Sequence, residues 1–288
     1  MLKPLAIETA KERVLNSINS IQWKGIRLPS QTLYFGENIR FKLFPNFREF
    51  DLQSLFFREI PYEKEVFDFL GENISKYDAI IEIGANVGIY TLFFYKSMLF
   101  LGKESRIYAF EPSKTAYYRL TKNLELNCAN PVTTYNCAIG NETGFFSFFE
   151  PEGHLTNGSL SSEFASDFSP TVLSTQALVV TGDMLSDLVK MDEEILVKID
   201  VEGFEFEVLS GMEEFICYYN PTIIVEVLNN YENRLNTLEF LLERYNLYNI
   251  TKSGLVPYAK FQATDFRDYV LLPKQSVKGL ENRPCLES

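Results

Sequence analysis

The chain has 288 residues, of which 46% are hydrophobic and 15% aromatic, and a formal net charge of −12. That length and apolar content support one large α/β domain with an N-terminal extension, or two small domains, around a sizeable core. The acidic balance argues against a nucleic-acid partner, whose binding comes mainly from Lys and Arg neutralising phosphates. No apolar run reaches the ~18 residues that a membrane span needs.

Residues 1–20 read as a helix with Leu5, Val14 and Ile18 as apolar contacts. Residues 25–60 mix short β-like runs at 32–35 and 39–44 with Pro29, Gly36 and Pro45, the pattern of a small β-rich extension or cap. Pro61 opens a helix to about residue 70, with Val66, Phe67 and Leu70 at helical spacing. Strands and helices then alternate. The pattern predicts strand 79–83, helix 87–100, strand 106–110, a helix from Ser113 to about 127 and strand 132–138. An extra strand at 144–150 follows, then a polar stretch over 151–176, strand 177–181 and a helix capped by Asp183. Strand 195–199, a helix from about 204, strand 222–227, helix 235–244 and strands 247–251 and 269–272 close the chain. This rhythm predicts a largely parallel, doubly wound sheet, whose ligands bind beyond the carboxyl ends of the strands at the topological switch point. The expected division is a cap over 1–60, a ligand-binding domain over 61–275 and a tail over 276–288. The opening residues, MLKPLAIETAKERV, lack a signal-peptide core. Cys128, Cys137, Cys217 and Cys285 have no metal-ligand spacing. The expectation is a cytoplasmic protein with reduced packing cysteines. The N-x-S/T sequons at Asn73, Asn141, Asn157 and Asn249 are then coincidental.

The most informative stretch is 78–91, DAIIEIGANVGIYT. An apolar strand ends in Glu82, and Gly84 and Gly88 lead into a helix. Such glycines let the backbone pass close to a ligand, and the helix start presents free N–H groups. The spacing is E-x-G-x-x-x-G, not the pyrophosphate-binding G-x-G-x-x-G of nicotinamide enzymes. It predicts a nucleoside with a smaller appendage, which S-adenosylmethionine (SAM) fits; a tight turn with no ligand is the bland alternative. Glu82, Gly84, Ala85, Asn86 and Gly88 form the expected cofactor turn. Glu111, followed by Pro112, ends the second strand, where a carboxylate can accept from both ribose hydroxyls or simply favour a helix start. Glu82 is placed for the ligand's amino group or for a structural hydrogen bond, and Asn136 and Ala138 border the expected adenine position.

The second informative stretch is 195–205, ILVKIDVEGFE. Lys198, Asp200 and Glu202 fall on one side of an apolar strand and its exit. Charges there are costly unless paired or used, so they read as site residues or as a self-compensating ion pair. Together EIGANVGIYT, AFEPS, NCAIGNETG and KIDVEGFEFEVLSG resemble the FkbM family of SAM-dependent methyltransferases over about residues 62–273. The resemblance implies a class I methyltransferase, Rossmann-like sheet of order 3-2-1-4-5-7-6 with its last strand antiparallel. It also implies O-methylation of a sugar, glycan or natural-product hydroxyl. Carried over, Glu82, Gly84 and Gly88 match the SAM turn and Glu111 the ribose acid. Asp200 and Glu202 match the acidic fourth-strand end, and Glu226 an acid closing strand five. Where the family often has a histidine soon after that glutamate, this chain has Val227-Leu228-Asn229-Asn230, which leaves one base position unfilled.

Asp200 is the first candidate for the base that takes the acceptor's proton, positioned by Lys198, with Glu202 and Glu226 next and Asp200 also near the cofactor. His154, the sole histidine, has a pKa suited to such chemistry but also reads as plain surface. Its long polar loop is expected to order over the cofactor or acceptor. Asp200, Glu226 and Asn229 could converge on a divalent metal, although no metal site is predicted. Trp23, Tyr34, Phe35, Phe41, Phe44, Phe47, Phe50, Phe56 and Phe57 could stack on a sugar, fill the core or form a homodimer contact. A non-catalytic methyltransferase-like scaffold and a nicotinamide oxidoreductase are the competing readings.

Overall fold

In Ala79–Ile83 (β3) all five residues are buried, so the strand must be covered on both faces. The computed structural model describes residues 30–36, 38–44, 63–151, 158–161, 164–165 and 171–274. The remaining strands are Gln31–Phe35 (β1), Ile39–Leu43 (β2), Arg106–Phe110 (β4), Val132–Tyr135 (β5), Ala138–Gly140 (β6) and Gly144–Pro151 (β7). After them come Val172–Thr181 (β8), Ile195–Ile199 (β9), Thr222–Glu226 (β10), Tyr245–Thr251 (β11), Gly254–Tyr258 (β12) and Asp268–Pro273 (β13). The helices are Lys64–Asn73 (α1), Ile89–Leu101 (α2), Lys114–Leu126 (α3), Glu205–Ser210 (α4), Glu213–Tyr219 (α5), Glu232–Leu235 (α6) and Glu239–Arg244 (α7).

The main sheet has eight strands in the order β12-β11-β13-β10-β9-β3-β4-β5. Strands β10, β9, β3, β4 and β5 run parallel, and β13 is antiparallel to β10 and β11. Without the edge strand β12, the other strands of this sheet numbered in chain order read 3-2-1-4-5-7-6. The order reverses between β4 and β9 on either side of β3, which is where open α/β sheets bind ligands. A second sheet, β6-β8-β7, is inserted between β5 and β9.

The side-chain period of two divides the core. Ile80, Leu196, Ile224 and Val270 face one side, with α1, α2 and the β1–β2 hairpin. Ile81, Val197, Ile223 and Leu271 face the other, with α4, α5 and α7. Helix α2 is apolar all round because it lies between sheet and hairpin; eight of its residues are buried. Two amides fasten the hairpin to α3. Asn127 Oδ1 accepts the Lys42 N–H (2.8 Å) while its Nδ2 donates to the Lys42 carbonyl (2.6 Å), and Asn123 Oδ1 accepts the Phe44 N–H (2.9 Å). They satisfy backbone groups of a strand that, among the described residues, pairs only with β1. Of the N-terminal aromatics, Phe41 is buried, Phe35 packs on Phe41, Phe67 and Phe93, and Tyr34 and Phe44 are exposed. Trp23, Phe47, Phe50, Phe56 and Phe57 and the helix expected at 1–20 lie outside the described residues.

Several expectations are corrected. The strand expected over 132–138 is two strands in different sheets, broken at Asn136 and Cys137. Residues 172–176, expected as polar loop, extend β8 against β7. Asp183 opens a 3-10 turn, and its carboxylate accepts the Phe215 N–H (2.9 Å) in the first turn of α5. Cys128 and Cys137 are free thiols, and Cys285 lies outside the described residues. Among the described residues, no helix is long and apolar enough to cross a membrane.

Helix α4 ends at Gly211, where an added Cβ would lie 1.9 Å from the Gly140 carbonyl oxygen. Its φ of −76° suits any residue, so the restriction is purely steric. Gly211→Ala is expected to cost about 1–3 kcal/mol through overpacking, read as a lower urea midpoint with an unchanged slope.

Candidate active site

The carboxyl ends of β4, β3, β9 and β10 open into one cavity of about 480 Å³. That lies within the usual range for small-molecule sites. Its floor begins at the Gly84–Gly88 turn. Gly84 has φ 88°, and a Cβ there would sit 1.8 Å from the Asp200 carbonyl oxygen. Gly88 has φ 89° and caps α2, and a Cβ there would meet Leu120 at 2.5 Å. Both positions therefore require glycine. The turn is tied down from behind, because Asn123 Nδ2 donates to the Val87 carbonyl (2.9 Å).

Glu111 leaves β4 and turns back over this loop. Its Oε2 accepts the Asn86 N–H (2.8 Å) and its Oε1 the Ser113 N–H (2.7 Å). Each carboxylate oxygen is thus fixed by one backbone donor and keeps acceptor capacity for another. Burial pushes the Glu111 carboxyl up to about 7, against the lowering effect of those N–H donors. Ser113 caps α3 by accepting the Ala116 N–H (3.2 Å) and donates to Glu150 on β7 (2.5 Å). The small sheet is anchored to the loop in this way. Ala138, Ile139, Phe148 and Phe204 supply apolar wall beside Glu111 and Pro112.

The second half of the site follows from strand register. Glu82 on β3 lies opposite Lys198 on β9, and Glu226 on β10 opposite Asp268 on β13. All four fall on the face that packs against α2. Thr91 of α2 donates to Glu82 (2.5 Å), and burial pushes that carboxyl up to about 8. Lys198 is 2% exposed, pairs with Asp200 at 2.8 Å and lies 4.1 Å from the centre of the Tyr90 ring. Burial works against its charge, but the carboxylates of Asp200, Glu63 and Asp268 outweigh that and hold its pKa above the usual lysine value. Glu63, just before α1, accepts from the Tyr90 hydroxyl. Glu202 has φ 55°. Burial, then the neighbouring Asp200 carboxylate, raises Glu202 and Glu226 well above the usual range. Glu205 accepts the N–H groups of Val201 (3.3 Å) and Gly203 (3.1 Å), which shapes the β9 exit.

Of the residues expected from sequence, Glu82, Gly84, Ala85, Asn86, Glu111, Pro112, Ala138, Asp200, Glu202 and Glu226 line the cavity. Lys198 does not: it lies beneath, as the ion-pair partner of Asp200. Asn136 is also displaced. It is exposed and donates to the carbonyls of Glu111 (2.8 Å) and Pro112 (3.1 Å), so it braces the loop from outside. His154 lies outside the described residues. From the expected loop, Gly158 and Leu160 reach the cavity, and Ser159 donates to the Glu202 carbonyl (2.7 Å). Asn229 is exposed and does not line the cavity, and no three His, Cys, Asp or Glu side chains among the described residues group to hold a metal ion. Sequence reasoning missed Glu63 and Arg267, which adjoin no motif and arrive through topology alone, and passed over Tyr90, which sits inside the glycine-turn motif on the first turn of α2.

Residues 82–249 match the family model described as the methyltransferase FkbM domain. Hexuronic acid methyltransferase AglP of Haloferax volcanii is 27% identical over 170 residues, covering 59% of this chain and 64% of that protein. Methyltransferase 1 of Beauveria bassiana is 25% identical over 211 residues, covering 68% and 81%. A solved structure of methyltransferase FkbM from Methylobacillus flagellatus is 18% identical with a TM-score of 0.43, covering 68% of this chain and 43% of that one. The chain thus spans less than two thirds of the length of AglP and of that solved structure.

The raised carboxyls fix the pH dependence of the ligand-free protein. A carboxyl with a higher pKa folded than unfolded keeps its proton longer in the folded state. Its stabilisation is complete below the unfolded value near 4.5 and is lost as pH rises through the folded value. Glu111 and Glu205 set that loss at about 7 and Glu82 at about 8. Unfolding free energy is expected to fall between about pH 4.5 and 8. Glu82→Gln should flatten the upper part of the decline by at least about 1.4 kcal/mol, one pK unit's worth, in denaturant titrations across that range.

Proposed function

We propose that this chain, which belongs to the FkbM methyltransferase domain family, transfers a methyl group from SAM to a hydroxyl of a sugar, glycan or small natural product. The observation that carries the cofactor is Glu111: two backbone donors orient its carboxylate, and both oxygens can still accept from a ribose diol. Gly84 and its neighbours would hold the aminoacyl portion, and Ala138, Ile139 and Phe148 the flat base. The relative named as a hexuronic acid methyltransferase supports a sugar acceptor. Residues 61–275 serve as the catalytic unit, with the N-terminal segment as a cap that braces the cofactor turn through α3.

When bound, SAM supplies an electrophilic methyl carbon on a sulfonium. The protein's task is to hold an acceptor oxygen in line with it and to receive the hydroxyl proton. Orientation of this kind is worth up to ~7–11 kcal/mol, and a placed base ~10²–10⁴-fold in rate. Asp200 takes the proton. Its Oδ2 is fixed by Lys198, which leaves Oδ1 to meet the acceptor hydroxyl at the cavity wall. Lys198 orients Asp200 from below, and Glu202 and Glu226 bind further acceptor hydroxyls.

Two variants separate these roles. Asp200→Ala should lower turnover by about 10²-fold or more while SAM affinity by calorimetry stays near wild type. Wild-type turnover in this variant would remove Asp200 from the mechanism. Glu111→Ala should instead weaken SAM binding by about tenfold or more, the loss expected for hydrogen bonds to a charged group. Turnover is read by mass spectrometry of glycan and metabolite extracts incubated with SAM, as the gain of CH₂.

A further inference from the structure

The cavity is longer than its cofactor half. Glu111, Gly84, Asp200, Glu226 and Arg267 stand at the ends of β4, β3, β9, β10 and β13, which are consecutive neighbours in the sheet. Four intervals of about 4.8 Å span roughly 19 Å. The cofactor residues occupy the β4–β9 half, so the β9–β13 half is left for the acceptor.

Arg267 is the one Lys or Arg among the described residues lining this cavity. Its side chain is 54% exposed, and its ion pair with Glu226 is 3.6 Å long. That exceeds hydrogen-bond range, and the arginine half of the pair is open to solvent while Glu226 is mostly buried. The guanidinium fork is therefore available to a ligand. The backbone that carries it is fixed. The buried Asn249 side chain donates to the carbonyls on either side, Phe266 (2.6 Å) and Asp268 (3.0 Å), and the Arg267 carbonyl accepts the Val227 N–H (2.8 Å). A buried amide that brackets a half-exposed arginine at a cavity mouth is how a chain presents that arginine in a set position. Of the nearby acids, Asp200 is paired with Lys198 at 2.8 Å, and burial, then the Asp200 carboxylate, raises the Glu202 and Glu226 carboxyls well above the usual range, which weakens their opposition to an anion.

We propose that Arg267 binds an oxyanion carried by the acceptor, a carboxylate or phosphate on a sugar, through the planar fork that suits both groups. This rests on the methyltransferase reading above and adds the class of acceptor. The test is calorimetric titration of D-glucuronate, D-glucose 6-phosphate and D-glucose into protein saturated with S-adenosylhomocysteine. At least one charged sugar should bind about tenfold or more tightly than glucose, and the tighter of the two identifies the anion. Arg267→Gln should remove that preference and Arg267→Lys should keep part of it, with S-adenosylhomocysteine affinity unchanged in both. Equal binding of all three sugars, no binding of any at tens of millimolar, or a preference that survives Arg267→Gln would overturn the proposal and leave the cofactor site standing. Failure of S-adenosylhomocysteine itself to bind would remove the methyltransferase reading, and this proposal with it.

Discussion

The site exists because β3 and β9 leave the sheet in contact. The Asp200 N–H donates to the Ile83 carbonyl (3.0 Å), and the next residue on β3, Gly84, has no room for a Cβ beneath the Asp200 carbonyl. One hydrogen bond and one missing methyl group therefore join the glycine turn to the Asp200 carboxylate at the cavity wall. The pairing is parallel and in register, so the contact also fixes Glu82 opposite Lys198 one step deeper. A slip of one residue would turn Glu82 and Lys198 toward the other, wholly apolar face.

That deeper row explains a polar layer in an apolar core. Lys198 is almost fully buried, and removing an ammonium from water is expensive unless good geometry repays it. Here the repayment comes from several directions: the Asp200 carboxylate at 2.8 Å, the face of Tyr90, and the more distant acids Glu63 and Asp268. Such an arrangement is poor as a source of stability, since apolar residues of similar volume usually do as well. It is effective at fixing one oxygen of Asp200 while leaving the carboxylate at the cavity surface. Of the sequence-level alternatives for this lysine, the ion pair with Asp200 is the one the structure contains, and Lys198 itself lies beneath the cavity.

How much was legible varies with the physical signal. Strands 79–83, 106–110 and 195–199 agree with the structure to the residue, because each is an apolar run ended by a charged or glycine-bearing turn. The glycine turn after β3 was legible for the same reason. Strand β12 was missed: it is a short, exposed edge strand without alternation, and Pro257 inside it argues against a strand. The first half of β8 was read as loop because Ser174, Thr175 and Gln176 are polar residues that stay exposed on the open part of the small sheet. Glu63 and Arg267 could not be found, since what makes them site residues is strand order and helix entry rather than neighbours in sequence. Asn136 was misplaced because a strand running through to residue 138 would have aimed it inward, whereas the chain breaks there and Asn136 turns to the loop backbone.

The break after β5 also shows how the pocket acquires its wall. A plain crossover would take β5 directly through a helix to β9. The chain instead leaves the main sheet at Asn136 and builds β6, β7 and β8 before returning. The small sheet is braced at two places that matter to the site. Glu150 on β7 accepts from Ser113, the residue that caps α3 and donates its N–H to Glu111. Close glycine contacts hold its other side: Gly140 lies under Phe204, and Gly211 packs on the Gly140 carbonyl. Phe148 and Ile139 are thereby set at a fixed distance from the Glu111 carboxylate, an apolar surface beside a pair of oriented acceptors. A nucleoside has those two faces, a flat base and a diol. The insertion and the glycine turn, far apart in sequence, thus line one cavity from two sides, the arrangement on which the proposed nucleoside site rests.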